Sequence, residues 1–139
     1  MKWLLDTDTC IALIRHRTPE VLRKLRSRAV GQVGISTITL SEFAYGVARS
    51  GRPAENASAL GEFLLSLEIA PYDEAAAKAY GSLRATLEAR GSPIGPLDTQ
   101  IAAHALALDA ILVTHNRREF DRVPGLRVDD WMNRRPGGH

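Results

Sequence analysis

The chain has 139 residues, 45% hydrophobic and 24% charged, with a formal net charge of +2. Those figures suit one globular domain with its own core and exclude a disordered or fibrous chain. No apolar run approaches the ~20 residues of a membrane span, and the single cysteine, Cys10, excludes an internal disulfide and a Cys-rich zinc site. The opening Met-Lys-Trp-Leu-Leu-Asp lacks the apolar core and cleavage site of a signal peptide. A cytoplasmic protein without membrane contact is therefore expected. Of the 18 basic residues only Lys2, Lys24 and Lys78 are lysine. Arginine's fork suits phosphate, but GC-rich coding enriches arginine as well. The balance permits a nucleic-acid partner without establishing one.

In chain order, Lys2–Asp6 reads as a strand stopped by an acid. Thr7–Arg15 follows as a short helix capped by Asp6 or Thr7. Pro19, at a first helical position, opens Glu20–Arg28. Gln32–Ser36 is a second strand. Ser36 or Thr37 then caps a helix through Leu40, Phe43, Ala44 and Val47, with Glu42 one to two turns in. Gly51-Arg52-Pro53 breaks the chain. Ala54–Leu67 is an amphipathic helix and Ile69–Tyr72 a brief strand. Asp73 caps the long helix Glu74–Arg90, which Gly91 ends. After the loop Gly91–Pro96, Gly95 as N-cap and Pro96 as first residue start an Ala-rich helix through Leu108, with Asp98 in its first turn. Ala110–Thr114, the most continuously apolar strand, is expected at the sheet's centre. Asn116 caps one turn, Arg117–Phe120, and Leu126–Val128 is an edge strand. Strands alternating with helices predict an α/β fold. We expect a three-layer α/β/α sandwich on a mainly parallel sheet of four or five strands. It would span residues 1–132, with 133–139 a flexible tail.

Four acids share a placement in that scheme. Asp6 ends the first strand, Glu42 lies early in the helix after the second, Asp98 opens the helix before the apolar strand, and Glu119 follows that strand. In a parallel sheet Asp6, Glu42 and Glu119 fall at the carboxyl edge, where open α/β sheets bind ligands. Asp98 joins them if the Gly91–Pro96 loop returns the chain to that edge. Carboxylates gathered without matching cations repel one another and favour a bound cation. Hard oxygen donors select Mg²⁺ or Mn²⁺ over zinc. One such ion, or a pair about 4 Å apart, can promote in-line displacement at a phosphodiester. Each acid also has a structural alternative. Asp6 or Asp8 can simply cap the first helix, and Asp98 can complement the helix dipole. Glu42 can be a solvated helix residue, and Glu119 the capping-box partner of Asn116.

The ordered set of motifs resembles PIN-domain proteins, and within them the VapC ribonuclease toxins of bacterial type II toxin–antitoxin modules. It begins with Leu5-Asp6-Thr7-Asp8, Ile35-Ser36, Leu40-Ser41-Glu42 and Tyr45-Gly46. It continues with Pro93-Ile94-Gly95-Pro96-Leu97-Asp98 and Val113-Thr114-His115-Asn116-Arg117-Arg118-Glu119-Phe120, and closes with Gly125 through Trp131. The resemblance implies a Mg²⁺-dependent endoribonuclease (Mn²⁺ substituting) that cleaves structured RNA such as tRNA or rRNA, leaving a 3′-hydroxyl and a 5′-phosphate. Asp6 and Asp98 would hold the metal, with Glu42 and Glu119 completing the catalytic acids. Thr114 and Asn116 would orient water or the substrate phosphate, and Arg15, Arg17, Arg117 and Arg118 would hold RNA. Asp8 stands where relatives carry Asn, which favours a capping role for it. Asn116 stands where many carry Asp. The resemblance also implies a homodimer and a cognate antitoxin that itself grips operator DNA. The antitoxin would lie in a groove lined by Ile11, Leu13, Ile14, Leu40, Phe43 and Val47.

Two other classes stand against this. A catalytically weak PIN binding module, acting with an antitoxin on operator DNA, is compatible with Asn116. A phosphatase forming an aspartyl phosphate would use Asp-x-Asp, but the threonine falls one place early and no convincing lysine follows. The histidines lack metal-ligand spacing and read as surface or helix residues. No P-loop, dinucleotide or Gly-x-Ser-x-Gly motif is present. Cys10 is expected to be buried and inert, and Trp3 and Trp131 to pack.

Overall fold

The computed structural model describes residues 1–16, 19–29 and 31–132, without the side chains of 15–16 and 19–22. The RNA contacts expected of Arg15 and Arg17, and the tail 133–139, lie outside the described residues. The elements are β1 (Trp3–Leu5), α1 (Thr7–His16), α2 (Pro19–Arg26), β2 (Val33–Ser36), α3 (Thr37–Ala48) and α4 (Pro53–Leu64). There follow β3 (Glu68–Ala70), α5 (Glu74–Ala89), α6 (Pro96–Leu108), β4 (Ile111–Val113), α7 (Arg117–Phe120) and β5 (Val128–Asp129).

Adjacent strand residues face opposite sides of a sheet. Leu4 and Leu5 are both fully buried, so β1 must be covered on both faces. Leu4 packs with Leu112 against Leu83 and Leu87 of α5 and Ile101 of α6. Leu5 packs with Val113 against Cys10 and Leu13 of α1 and Phe43 of α3. The same alternation in β1 and β4 thus builds both helical layers of the expected three-layer sandwich. Trp3 and Trp131 pack with ring centroids 6.3 Å apart, and the Arg28 guanidinium lies over both rings.

The sheet has five strands in the order β3-β2-β1-β4-β5, and every pairing is parallel. The middle strand is β1, not the apolar strand Ala110–Thr114. That strand, observed as β4, is paired on both sides, and its continuous apolarity reflects burial of both faces rather than its rank in the sheet. Other boundaries shift for local reasons. The strand expected at Ile69–Tyr72 ends at Ala70, because Pro71 has no N–H for the ladder. The helix expected to reach Leu67 ends at Leu64, where Leu65 and Leu67 bond to carbonyls three residues back. The final strand is Val128–Asp129 rather than Leu126–Val128. Gly91, at φ +67°, closes α5 with Gly91 N–H bonded to Glu88 O and Ser92 N–H to Leu87 O, a Schellman motif. The chain then re-enters along α6.

The strand order matters for function. From β1 the chain builds outward through β2 to β3, then returns to lay β4 on the other side of β1. The connections on either side of β1 and β4 therefore diverge, and a crevice opens beyond their carboxyl ends.

Gly34 of β2 has the closest backbone approach among the described glycines. A Cβ there would lie 2.5 Å from the carbonyl oxygen of Glu68 on β3, a backbone atom that cannot rotate away. Gly34→Ala is expected to destabilise the fold by about 1–3 kcal/mol through overpacking. A urea midpoint equal to that of the parent chain would refute this account of the β2–β3 seam.

Candidate active site

Asp6 is the first residue past β1. Its N–H donates to Val113 O at 3.0 Å, which ties it to the end of β4, and it is only 3% exposed. Its Oδ1 accepts the Thr9 N–H at 2.8 Å, and the Thr114 hydroxyl also bonds to the carboxylate. Asp6 itself is therefore the cap of α1, and the capping role expected of Asp8 is not observed. Asp8 is an exposed first-turn residue. Capping does not remove Asp6 from the crevice, which it lines together with Asp8, Glu42 and Asp98.

Glu42 is held by α1. The Thr7 hydroxyl donates to Glu42 Oε1 at 2.7 Å. The Thr39 hydroxyl lies 3.2 Å from that of Thr7. A hydroxyl has one proton, so with Thr7 donating to Glu42, Thr39 is the donor to Thr7. Asp98 sits in the first turn of α6, which Pro96 starts behind Gly95. Thr99 N–H bonds to Gly95 O at 2.8 Å. Glu119 of α7 links the loop to β4. Its Oε1 accepts the Gly95 N–H at 3.2 Å and its Oε2 accepts from Asn116 Nδ2 at 3.0 Å. The capping box expected between Asn116 and Glu119 does not form, because the Asn116 N–H goes to Thr114 Oγ1 at 2.9 Å. Nor does the Asn116 side chain cap α7. The structure thus brings Asp6, Glu42 and Asp98 into one cleft of about 390 Å³ whose lining, among the described residues, includes no basic residue. Glu119 and Asn116 line an adjoining cavity that shares Gly95 with this cleft, and Thr114 is buried against Asp6.

The electrostatics follow from that crowding. Burial pushes the Asp6 carboxyl up, with a further push from the charge of Asp8 against the hydrogen bonds of Thr114 and Thr9. Asp98 is raised from 3.8 to about 7, first by burial, then by its hydrogen bond with Glu119, then by the charges of Glu119, Asp6 and Asp8. Its place in a first turn would favour the anion by about 0.3–1 kcal/mol, and burial with repulsion outweighs that. Burial alone would also raise Glu119. Hydrogen bonds from Asn116, Gly95 and Asp98, with the charge of Arg122, reverse the sign and hold it below the usual range. Asp98 and Glu119 therefore share a proton that resides on Asp98.

Several residues were not predicted for this region. Thr7 is the partner of Glu42, and only its adjacency to Asp6 marked it. His104, expected at the surface or on a helix, is on α6 but only 1% exposed. Its Nδ1 lies 2.8 Å from Ser36 Oγ, and burial lowers its pKa. Its place in the run Ala102–Ala105, all buried, was the available signal. His115 is exposed and bonds to Asp130. Cys10 is buried as expected, with its thiol pushed well up by burial and the charge of Asp6. A second cleft of about 380 Å³ lies among α1, α3 and α4, lined by Ile11, Ile14, Phe43 and Val47 of the expected apolar groove. Leu13 and Leu40 instead pack in the core behind it.

A five-stranded parallel sheet with acids gathered where its winding reverses is the architecture of the PIN domain, and the chain belongs to that family. The PIN domain profile matches residues 3–126. The tRNA(fMet)-specific endonuclease VapC of Salmonella typhimurium is 41% identical over 131 residues, covering 94% of this chain and 98% of that protein. DNA-bound VapBC from Salmonella typhimurium superposes with a TM-score of 0.91 at 39% identity, covering 94% of this chain and 98% of that one. VapBC2 from Rickettsia felis, bound to a DNA fragment from their promoter, gives 0.90 at 38% identity, covering 94% and 99%. Among the described residues no helix is long and apolar enough to cross a membrane.

The proton on Asp98 has a sign in stability. Between about pH 4 and about pH 7 the unfolded chain has released this proton while the folded chain retains it, so stability contributed here falls as pH rises. Asp98→Asn keeps a donor for Glu119 and removes the charge. In divalent-free buffer its melting temperature is expected to exceed that of the parent at pH 8, the gap narrowing towards pH 4. A gap that does not change with pH would rule out the shared proton.

Proposed function

We propose that this PIN-domain protein is the toxin of a toxin–antitoxin pair, a divalent-cation-dependent endoribonuclease acting on structured RNA. The observation that carries the proposal is the convergence of Asp6, Glu42 and Asp98 in one cleft whose lining, among the described residues, holds no basic residue. An all-oxygen set fits Mg²⁺, or Mn²⁺ in its place, and not zinc. Among the described residues no three Asp, Glu, His or Cys side chains close on an ion by themselves. That suits Mg²⁺, which retains waters and takes one or two carboxylates plus substrate phosphate.

Asp6 and Asp98 would hold the ion, which when bound supplies charge neutralisation and Lewis acidity at the phosphodiester. The chain's own residues do the rest. Thr114 and the Thr9 N–H fix the Asp6 carboxylate. Thr7 aims Glu42 into the cleft, where it takes a proton from the attacking water. Glu119, positioned by Asn116, keeps Asp98 at the mouth of the cleft. Water adds to phosphorus and the 3′-oxygen leaves, giving a 3′-hydroxyl and a 5′-phosphate. The name of the Salmonella relative supports tRNA as the substrate class. The VapBC–DNA complexes support an antitoxin partner through which operator DNA is reached. The apolar cleft among α1, α3 and α4 is the surface an antitoxin segment would cover.

Removing an outer-shell partner of a metal site costs about 10–100-fold, so Asp6→Asn and Asp98→Asn are each expected to lower cleavage by about 100-fold or more with the fold kept. EDTA should abolish cleavage and Mg²⁺ restore it. The deciding measurement is expression without an antitoxin, with mapping of new RNA 5′ ends in the parent and in Asp98→Asn. New ends present in the parent and absent in the variant support the nuclease. Growth inhibition without new ends would favour the binding module.

A further inference from the structure

We propose that the cleft beside the carboxylates is a second subsite for the substrate, in which Arg118 and Arg122 hold an RNA phosphate adjacent to the scissile one. The proposal rests on the ribonuclease reading and deepens it.

A cavity of about 440 Å³ lies between the Pro93–Gly95 loop and α7, lined by Gly95, Asn116, Glu119, Arg118 and Arg122 among others. Gly95 also lines the cleft that holds Asp6, Glu42 and Asp98, so the two cavities meet at this residue. A methyl group at Gly95 would sit 3.9 Å from Asp98 Oδ2 and 4.0 Å from Glu119 Oε1. A polyanion lying across Gly95 would therefore meet the acids on one side and the arginines on the other.

The arginines have donors to give. Among the described residues Arg118 makes neither a hydrogen bond nor an ion pair. The Arg122 side chain makes one hydrogen bond, Nη1 to Pro93 O at 3.3 Å. A guanidinium carries five N–H donors in a fixed fork that matches phosphate. The single bond to Pro93 pins Arg122 against the loop and leaves the remaining donors for an anion, which lowers the ordering cost of binding. Neither arginine forms a close ion pair with Glu119, although the charge of Arg122 helps to hold that carboxyl ionised, so the guanidinium donors stay available to an anion. Arg117, the neighbour that the sequence marked equally, lines neither cleft. The charge arrangement also sorts the substrate. Glu119 repels a phosphate from its own wall, so the anion is held on the arginine side while the next phosphodiester reaches Asp6 and Asp98.

The test is RNA binding by the Asp98→Asn chain, with a fluorescein-labelled initiator tRNA transcript and an unrelated hairpin of equal length as probes. Potassium chloride is varied from about 50 to about 200 mM. A phosphate contact to single-stranded RNA contributes about 0.7 to the slope of log K against log salt. Added singly, Arg118→Gln and Arg122→Gln are each expected to weaken binding of both RNAs about 3- to 10-fold and to reduce that slope by about 0.7–1. Arg122→Lys keeps the charge and should keep most of the slope. Lys78→Gln, on the exposed face of α5 where Lys78 pairs with Glu74, should change neither quantity, which separates a local contact from loss of net charge. Unchanged affinity and slope in both Gln variants would overturn the subsite, and RNA cleavage by the parent chain would leave the ribonuclease reading standing. A reduced slope with a parent chain that cuts no RNA would keep the subsite and overturn the nuclease. Absence of binding to either probe would overturn the subsite outright.

Discussion

Like charges gathered at one sheet edge are the constraint to which the other features of this fold answer. Burial raises the cost of ionising Asp6 and Asp98, and the neighbouring acids add to it: Asp8 acts on both, and Glu119 and Asp6 act on Asp98. A surface would let such side chains swing apart into water. Here Asp6, Glu42 and Glu119 are held by hydrogen bonds to neighbouring elements. Asp6 is fixed by the first turn of α1 and by Thr114 after β4. Glu42 is tied to Thr7, and Glu119 to Asn116 and the Gly95 N–H. Repulsion that cannot be relaxed by rotation is relaxed by a proton, which is why Asp98 titrates near 7 while Glu119 moves the other way.

The sheet makes that confinement practicable. Because β1 and β4 are buried on both faces, the two strand ends that carry Asp6 and Thr114 are held by the core rather than by the site. The Asp6 N–H extends the β1–β4 hydrogen-bonding by one step. The carboxylates therefore sit on a frame whose stability comes from Leu4, Leu5, Leu112 and Val113, and the cost of their proximity is carried by apolar burial elsewhere. The helix that brings Asp98 needs no side-chain cap. Gly95 and Pro96 start it, and the absence of a side chain at Gly95 keeps the passage between the two clefts open.

Much of this was legible in the sequence, and the failures are informative. A strand ending in an acid, a Pro-started helix with an acid in its first turn and an apolar strand followed by Asn and Glu are local patterns with local causes, and all three placed their residues correctly. The sequence leaves the cap of α1 open among Asp6, Thr7 and Asp8, because capping and ligation read as alternatives for Asp6. A carboxylate has two oxygens, and one can serve the helix while the group still faces the cleft. The middle strand was misjudged because apolar continuity measures two-sided burial, which β1 and β4 share. Thr7 and Arg122 went unnoticed because their partners, Glu42 and the Pro93 carbonyl, are 35 and 29 residues away in sequence, and no local pattern encodes a pairing set by strand order.

The donors that hold the acids are hydroxyls, a side-chain amide and backbone N–H groups, and this is a physical choice rather than an accident of composition. The chain has fifteen arginines, yet among the described residues none lines the cleft of Asp6, Glu42 and Asp98. A guanidinium there would form a strong ion pair with a carboxylate and would neutralise the field of the cleft. A hydroxyl or an amide fixes the direction of a carboxylate through one hydrogen bond worth about 0.5–1.5 kcal/mol net and leaves its full negative charge in place. Thr7, Thr9, Thr114 and Asn116 thus order the acids without satisfying them. The site keeps an excess of negative charge that the proton on Asp98 relieves only in part, and Arg118 and Arg122 line the adjoining cavity rather than the cleft of Asp6, Glu42 and Asp98.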